Sequence, residues 1–365
     1  MNVYVEMSAI RHPYVGVGEF CLNLGRHLAT EAESLLRSRG ISLHFIVPKG
    51  FEGCFGMGAD YVALPAFTGW SSWLYRERMD LLHLTHQYSL FTHFPHVMKR
   101  MLTVHDINFV YEKRGAKLCR YQRRFQRLRD KADIVTYISN FTRRDTERHF
   151  GTGRCSRVVY NGVRSLYGLQ GDVSEEFVRR CPDVPFLFHI SSLRPKKNIH
   201  LLVEMMRFLP HETMVIAGDW SGAYARSIRR RVDELGLSNV ICLPFVSTAE
   251  KAWLYAHCKA FLFPSLCEGF GLPPVEAMQF GKPVFLSRLT SLPEIGGPDA
   301  YYWNELSPKA MAGFFLRAQQ TWSLPDERAE RLRRWAAQFD WQRCARQYID
   351  CYLSVLGCQP MTSTI

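Results

Sequence analysis

The residues best equipped for chemistry are concentrated between Ala260 and Ser287, AFLFPSLCEGFGLPPVEAMQFGKPVFLS. Two acids stand eight apart there, Glu268 and Glu276, with Gly269, Phe270, Gly271 and Leu272 in the intervening loop. Carboxylates accept hydrogen bonds from hydroxyls, and a glycine-rich loop entering a helix brings backbone N–H groups and a positive dipole end to an anion. Taken alone the pair is also compatible with an ordinary capped helix in which Glu276 stabilises the positive end. A second cluster, Arg194-Pro195-Lys196-Lys197-Asn198, puts several cations just before a helix, where they oppose its dipole unless an anion is bound. A solvated basic loop is the plainer reading of that cluster. His105-Asp106 closes an apolar strand, Met101 to Val104, and a neutral imidazole there could accept or donate near a reacting hydroxyl. The alternative is a structural histidine at a strand end, with Asp106 orienting the loop. Gly16-Val17-Gly18 stands at a strand-to-helix turn, suited either to close phosphate approach or to a tight turn needing positive φ.

The elements that must hold these residues read as alternating strands and helices. Ala260 to Phe263 is a short apolar run stopped by Pro264. Pro273-Pro274 then starts a helix with Glu276 in its first turn, Gly281 ends it, and Pro283 to Leu286 begins another strand. Strands are expected over Met1–Met7, Ile41–Val47, Asp80–Leu84, Met101–Val104, Asp133–Ser139 and Val158–Val163, the last meeting an Asn-Gly turn. A second series follows at Phe186–Ser191, Met214–Gly218 and Val240–Leu243, with helices over Ala225–Leu235, Ala310–Ala318, Glu327–Ala337 and Trp341–Leu356. Strand and helix in alternation predict an α/β chain with parallel sheets, whose ligands bind at the carboxyl ends of the strands. The polar stretch 168–185 marks a domain boundary.

The 365 residues leave room for two such domains, and 47% hydrophobic content with 24 Phe and 16 Tyr supports substantial cores. Eleven scattered cysteines without a Cys-x-x-Cys pair suggest neither a disulfide framework nor a zinc cluster and fit a reducing cytosol. His83, His86, His93 and His96 lack supporting acids or thiols, so a metal site is not expected there. No signal peptide or membrane-spanning run is read. The net charge of +12 suits anionic partners, whether nucleotide diphosphates, phospholipid or nucleic acid. Much of it lies on 116–132, where Leu118, Tyr121, Phe125, Leu128 and Ala132 form a helical stripe among Lys117, Arg120, Arg123, Arg124, Arg127, Arg129 and Lys131. That segment is either a core-facing helix with a solvated basic face or a helix docking on an anionic membrane. No reader motif accompanies the charge, so nucleic acid is not an expected partner.

Glu-Gly-Phe-Gly-Leu-Pro-Pro-Val-Glu-Ala-Met after a buried strand closely resembles the glutamate-x7-glutamate motif of a large family of retaining glycosyltransferases, family 4 or group 1. That family includes bacterial lipopolysaccharide and phosphatidylinositol mannosyltransferases. Thr-Val-His-Asp, Lys197-Asn198, Leu292-Pro293-Glu294 and the first glycine pair resemble further parts of its pattern, over nearly the whole chain. The resemblance implies a GT-B enzyme, with two Rossmann-like domains facing across a cleft. An acceptor-binding domain would span 1–167, a linker 168–185 and a nucleotide-sugar-binding domain 186–340, with a final helix in 341–365 returning to the first domain. It also implies roles. Glu268 would bond donor-sugar hydroxyls, Glu276 the ribose, and Gly269, Phe270, Gly271 and Leu272 would approach sugar and diphosphate. Lys197 would bind the diphosphate, with Arg194 as candidate substitute for an arginine that many members carry where Ser192 stands. Phe245 lies in the loop that meets the base, Gly16 and Gly18 beside the diphosphate, and His105 against the transferred sugar.

The activity implied is transfer of a hexose from a nucleotide diphosphate sugar to a hydroxyl of a glycan or lipid-linked glycan, with retention. Cell-surface polysaccharide or lipopolysaccharide synthesis, on the cytoplasmic side or peripheral to the membrane, is the expected setting. Mannose from GDP-mannose is favoured by the GFGLPPVEAM wording. A UDP-sugar-dependent glucosyl- or N-acetylglucosaminyltransferase is the enzymatic rival, and a non-catalytic sugar-nucleotide or anionic-lipid binding subunit the rival of another class. No Asp-x-Asp occurs, so cations and dipoles rather than a metal are expected to stabilise the leaving diphosphate, and no cofactor is expected.

Overall fold

A computed structural model describes residues 1–12, 16–57, 59–64, 75–89, 94–169, 173–321 and 325–359. The chain forms two compact units, one made of Met1–Gly162 with Phe339–Ile365 and the other of Val163–Gln338. The crossings therefore fall at Gly162/Val163 and Gln338/Phe339. The polar stretch 168–185 belongs to the second unit, where a short helix, Glu175–Arg179, seats Phe177 edge-on against Trp253.

Among the described residues the first unit holds seven parallel strands: β1 (Asn2–Glu6), β2 (Ser42–Pro48), β3 (Asp60–Leu64), β4 (Met79–Leu84), β5 (Val97–Val104), β6 (Ile134–Tyr137) and β7 (Ser156–Val158). Their spatial order is β3-β2-β1-β4-β5-β6-β7. The order reverses between β1 and β4, and the crevice outside such a reversal is where open α/β sheets bind ligands. β1 reads as a continuous buried run because helices cover both sheet faces. The segment VVYNGV does not continue as a strand beyond Val158. Gly162 instead lies against Trp341, leaving no room for a side chain.

The second unit repeats the plan with β8 (Phe186–Ile190), β9 (Met214–Ala217), β10 (Val240–Leu243), β11 (Cys258–Phe263), β12 (Val284–Ser287) and β13 (Tyr301–Trp303). Their order is β10-β9-β8-β11-β12-β13, again all parallel, with the reversal between β8 and β11. Both chemistry-bearing loops of this unit leave from those two central strands.

The helix Trp341–Val355 packs on the first unit's helix Gly16–Leu35 and carries a buried apolar face of Trp341, Tyr348, Ile349 and Tyr352. A wholly buried polar relay fastens it to the sheet. His83 meets the Tyr352 hydroxyl at 2.8 Å through Nδ1 and Thr103 Oγ1 at 2.8 Å through Nε2, and Thr103 continues to Thr136 at 2.8 Å and Tyr348 at 3.2 Å. Burial pushes the His83 pKa down to about 3. His83 is thus committed to structure, and His86 lies 3.6 Å from Glu6; His93 falls outside the described residues. Among the described residues no helix is long and apolar enough to cross a membrane, and all eleven cysteines are free thiols.

A histidine whose folded pKa lies below its unfolded value binds its proton more readily in the unfolded chain, so its contribution is present above about 6.5 and lost as pH falls toward the folded value. His83 and His105, the latter pushed down to about 4 by burial, both act in this sense in the first unit. The urea midpoint is expected to fall between pH 6.5 and 4, and His83→Gln to flatten that slope while lowering the midpoint at neutral pH. Parallel pH series on the two proteins check this.

Candidate functional site

The site of the second unit is built on the strand reversal. From β8 the chain leaves through Ser191 into a single 3-10 turn, Pro195–Lys197, and Asn198 takes the left-handed conformation with φ 59° before the helix Ile199–Met206 begins. Asparagine tolerates that region better than most residues. The result is that Lys197 turns inward and is 8% exposed. From β11, Pro264 stops the strand and Ser265 opens the acid loop. Two bonds tie the loops together, since the Leu266 N–H donates to the Lys196 carbonyl at 2.8 Å and the Ser265 hydroxyl to the same oxygen at 3.2 Å.

Glu268 and Lys197 meet in this frame. The ammonium donates to Glu268 Oε1 at 2.5 Å, the Ser265 hydroxyl donates to the same oxygen at 2.5 Å, and Lys197 lies 5.0 Å over the Phe263 ring. Oε2 takes no hydrogen bond from the described residues. One oxygen is therefore fixed and the other is left for a hydroxyl donor. A third loop, after β12, supports the acid loop from its own backbone. Thr290, at φ 55°, accepts the Glu268 N–H at 3.1 Å, and the Ser291 hydroxyl donates to the carbonyls of Glu268 at 3.0 Å and Phe270 at 2.7 Å. Sequence reasoning missed Thr290 and Ser291. Their only signal was two hydroxyl residues immediately before Leu292-Pro293-Glu294.

The helix after the acid loop runs Leu272–Gln279, and Gly271 before it has φ 115°, a conformation that a side chain would strain. Starting at Leu272 removes Glu276 from the first turn, contrary to the expectation from Pro273-Pro274. Leu272 is positioned at the open end of that helix, with Gly269 partly exposed and Phe270 buried. Glu276 is 3% exposed, with Oε1 accepting from Lys251 at 2.6 Å and Oε2 from the Tyr255 hydroxyl at 2.8 Å. Neither partner was foreseen, because both lie on the helix Thr248–His257, which the sequence reading did not identify. Phe245, in the loop after β10, is 62% exposed. Arg194 is exposed as well; its carbonyl accepts the Lys197 N–H at 2.9 Å, and among the described residues no side-chain bond links it to Lys197 or Glu268. Below the pair, His189 donates through Nδ1 to the Leu262 carbonyl at 2.8 Å, and burial pushes it down to about 4, so it stays neutral beside the Lys197 cation.

In the first unit His105 ends β5 as expected. Its Nε2 lies 2.9 Å from the Thr85 carbonyl, which can only accept, so Nε2 carries the proton and Nδ1 is the acceptor. Burial pushes the imidazole down to about 4, and Phe20 packs edge-on against it. The glycine pair differs from its expected loop. The helix Gly16–Leu35 begins at Gly16 itself, and Gly18 has no positive φ. A side chain at Gly18 would instead stand 2.0 Å from the His12 carbonyl, so the residue permits close approach of its own chain. Of the cations on the helix Gly115–Asp130, Arg124 donates to the carbonyls of Tyr88 and Ser89 at 2.6 Å each. Arg129 donates to the carbonyls of Phe150 and Gly151, which end the helix Asn140–Phe150. These two are structural, while Lys117, Arg120, Arg123, Arg127 and Lys131 are exposed.

The Asn198 conformation generates a prediction that does not depend on substrate. Asn198→Gly should leave stability within about 0.5 kcal/mol, whereas Asn198→Val should cost roughly 1–3 kcal/mol, because a β-branched side chain resists that φ. Chemical denaturation of the two variants checks the difference.

The group 1 glycosyltransferase family model matches residues 175–311, and the glycosyltransferase family 4 model matches residues 16–165. The chain is 25% identical to O-antigen chain mannosyltransferase B of Escherichia coli, over 96% of this chain and 99% of that protein. Among solved structures, sucrose-phosphate synthase of Thermosynechococcus elongatus superposes with a TM-score of 0.76 at 18% identity, covering 98% of this chain and 99% of the other. Anabaena HepE, solved in complex with UDP and glucose, gives 0.73 at 17%, covering 97% and 100%. These likenesses give the fold, GT-B with its two Rossmann-like parallel-sheet domains. With each of its two units matched by a glycosyltransferase model and the paired-glutamate loop built on the second, the chain belongs to the group 1, family 4 glycosyltransferases.

Proposed function

We propose that this glycosyltransferase moves mannose from GDP-mannose to a hydroxyl of a glycan or lipid-linked glycan, in cell-surface polysaccharide or lipopolysaccharide synthesis, with the anomeric configuration kept. The observation that carries the reading is the Lys197–Glu268 pair at the strand reversal, with the free Glu268 Oε2 and the start of the Leu272–Gln279 helix beside it in the chain. Bond cleavage puts negative charge on a departing nucleoside diphosphate. Lys197 has three N–H donors and spends one on Glu268, leaving two for phosphate oxygens. Ahead of Pro273 and Pro274, which have no N–H, Gly271 and Leu272 supply backbone N–H groups of the same polarity. Glu268 Oε2 accepts a donor-sugar hydroxyl, Gly269, Phe270, Gly271 and Leu272 line the approach, Glu276 serves the ribose, and Phe245 the base. Arg194 is a further candidate for the diphosphate, and in the first unit, taken by itself, His105 Nδ1 is a candidate acceptor for a hydroxyl.

Retention belongs to the same reading, and the pair bears on how it would be reached. A carboxylate held by an ammonium and a hydroxyl is a poor nucleophile, which favours front-face attack in which the leaving phosphate takes the acceptor's proton. Cations and helix dipole stabilise the leaving group in this reading, without a metal or cofactor. Mannose is favoured because the relative aligned over almost its whole length is a mannosyltransferase of O-antigen chains. The exposed cations of the Gly115–Asp130 helix supply a peripheral contact with the anionic inner face of the cytoplasmic membrane.

Purified protein presented with GDP-mannose, UDP-glucose, UDP-N-acetylglucosamine and dTDP-sugars should bind GDP-mannose most tightly and release GDP slowly by hydrolysis. Preference for a UDP-sugar transfers the assignment to the glucosyl or N-acetylglucosaminyl class, and binding without nucleotide release under any acceptor points to a non-catalytic subunit. Glu268→Gln should lower kcat about 10²–10³-fold while leaving donor affinity within a few-fold. On the membrane side, Arg120, Arg123 and Arg127 changed together to Glu should abolish sedimentation with phosphatidylserine-containing vesicles at low salt. Arg124 is left intact in that variant because it fastens the Tyr88–Ser89 backbone.

A further inference from the structure

Glu276 is almost wholly buried, yet neither of its partners belongs to the motif that carries it. Lys251 comes from the helix Thr248–His257, whose start is fixed by a reciprocal cap in which the Ser247 hydroxyl accepts the Glu250 N–H at 3.2 Å and Glu250 accepts the Ser247 N–H at 2.6 Å. Lys251 follows that cap directly, so its stem leaves a defined point and its ammonium reaches Glu276 Oε1 at 2.6 Å. Tyr255, one turn later, donates to Oε2 at 2.8 Å, and its ring is held between Phe188, Phe261 and Phe280. A carboxylate offers about four acceptor positions. Lys251 and Tyr255 use one on each oxygen, and no other described group bonds to the side chain. What remains is one acceptor position on each of two oxygens of a single planar group. That arrangement matches two adjacent hydroxyl donors, the vicinal diol of a ribose.

We infer that Lys251 is a positioning residue for the nucleotide: its ammonium holds the Glu276 carboxylate oriented so that the remaining acceptor on each oxygen receives one ribose hydroxyl. The inference rests on the donor-site reading above and adds a residue outside the glutamate motif. Tyr255 alone cannot replace Lys251, because a neutral hydroxyl does not compensate a buried negative charge. The Lys251 side chain keeps 23% of its exposure, so the ammonium is held by the pair rather than sealed in the core.

The test measures binding of GDP, UDP and 2′-deoxy-GDP by calorimetry to wild type, Lys251→Met and Lys251→Arg, together with donor KM and kcat and the unfolding midpoint. Lys251→Met should weaken the preferred ribonucleotide about tenfold, raise donor KM alike, and leave kcat within about threefold. Lys251→Arg should restore affinity to within about threefold. Wild type should favour GDP over 2′-deoxy-GDP about tenfold, and Lys251→Met should lose most of that preference, a change that loss of stability alone does not produce. Should Lys251→Met fail to fold, Lys251→Gln, which keeps a donor without the charge, gives the same comparison. Unchanged affinity and unchanged ribose preference in folded Lys251→Met or Lys251→Gln overturn the inference and leave the donor site standing. Wild type that binds neither GDP nor UDP removes the donor-site reading itself.

Discussion

The interaction on which the arrangement of the second unit's two central loops depends is the contact between Lys197 and Glu268. Two oppositely charged groups, each largely withdrawn from water, lie 2.5 Å apart at the carboxyl ends of adjacent central strands. Removing one partner alone would leave an uncompensated charge, at a cost of up to about 3–5 kcal/mol. The surrounding details follow from that requirement. Asn198 accepts an unusual φ so that Lys197 can turn inward, Ser265 adds a second donor to Oε1, and Thr290 and Ser291 hold the acid loop by its backbone. A neutral His189 beneath the pair avoids placing a second cation beside Lys197.

Glu276 presents the same solution in a different setting, a buried acid answered by a cation and a hydroxyl. Both acids are thereby preset before any ligand arrives. Groups aimed in advance reorganise little when charge develops nearby. In the first unit His105 is preset by a comparable device, a carbonyl that fixes which ring nitrogen holds the proton.

Much of this was legible in the sequence, and the residues show why the rest was not. Strands buried on both faces, such as β8 and β11, announce themselves as apolar runs with stop signals, and Pro264, Gly271 and Pro273-Pro274 mark the loop between strand and helix. Two of the edge strands do not: β3 and β13 are short and only half covered, so DYVAL and YYW carry little pattern. Local reading also placed Glu276 by its prolines and missed the turn that begins at Leu272. Partners distant in sequence were beyond it altogether. Lys251 and Tyr255 become neighbours of Glu276 only when the helix Thr248–His257 comes to lie beside the helix Leu272–Gln279, and nothing in a run of basic residues distinguishes Arg124 and Arg129, which close off backbone carbonyls, from Arg120 and Arg127, which face water.

The helix Trp341–Val355 belongs to the unit whose other residues precede Val163. During synthesis the second unit, continuous from Val163 to Gln338, leaves the ribosome whole while the first still lacks a helix. His83 and Thr103 must then wait, with the hydrophobic surface that Trp341 and Ile349 will cover, until the final stretch emerges. The first unit is thus completed only after the second, and for the time needed to translate a whole intervening domain its sheet lacks a covering helix, a face on which a chaperone could act.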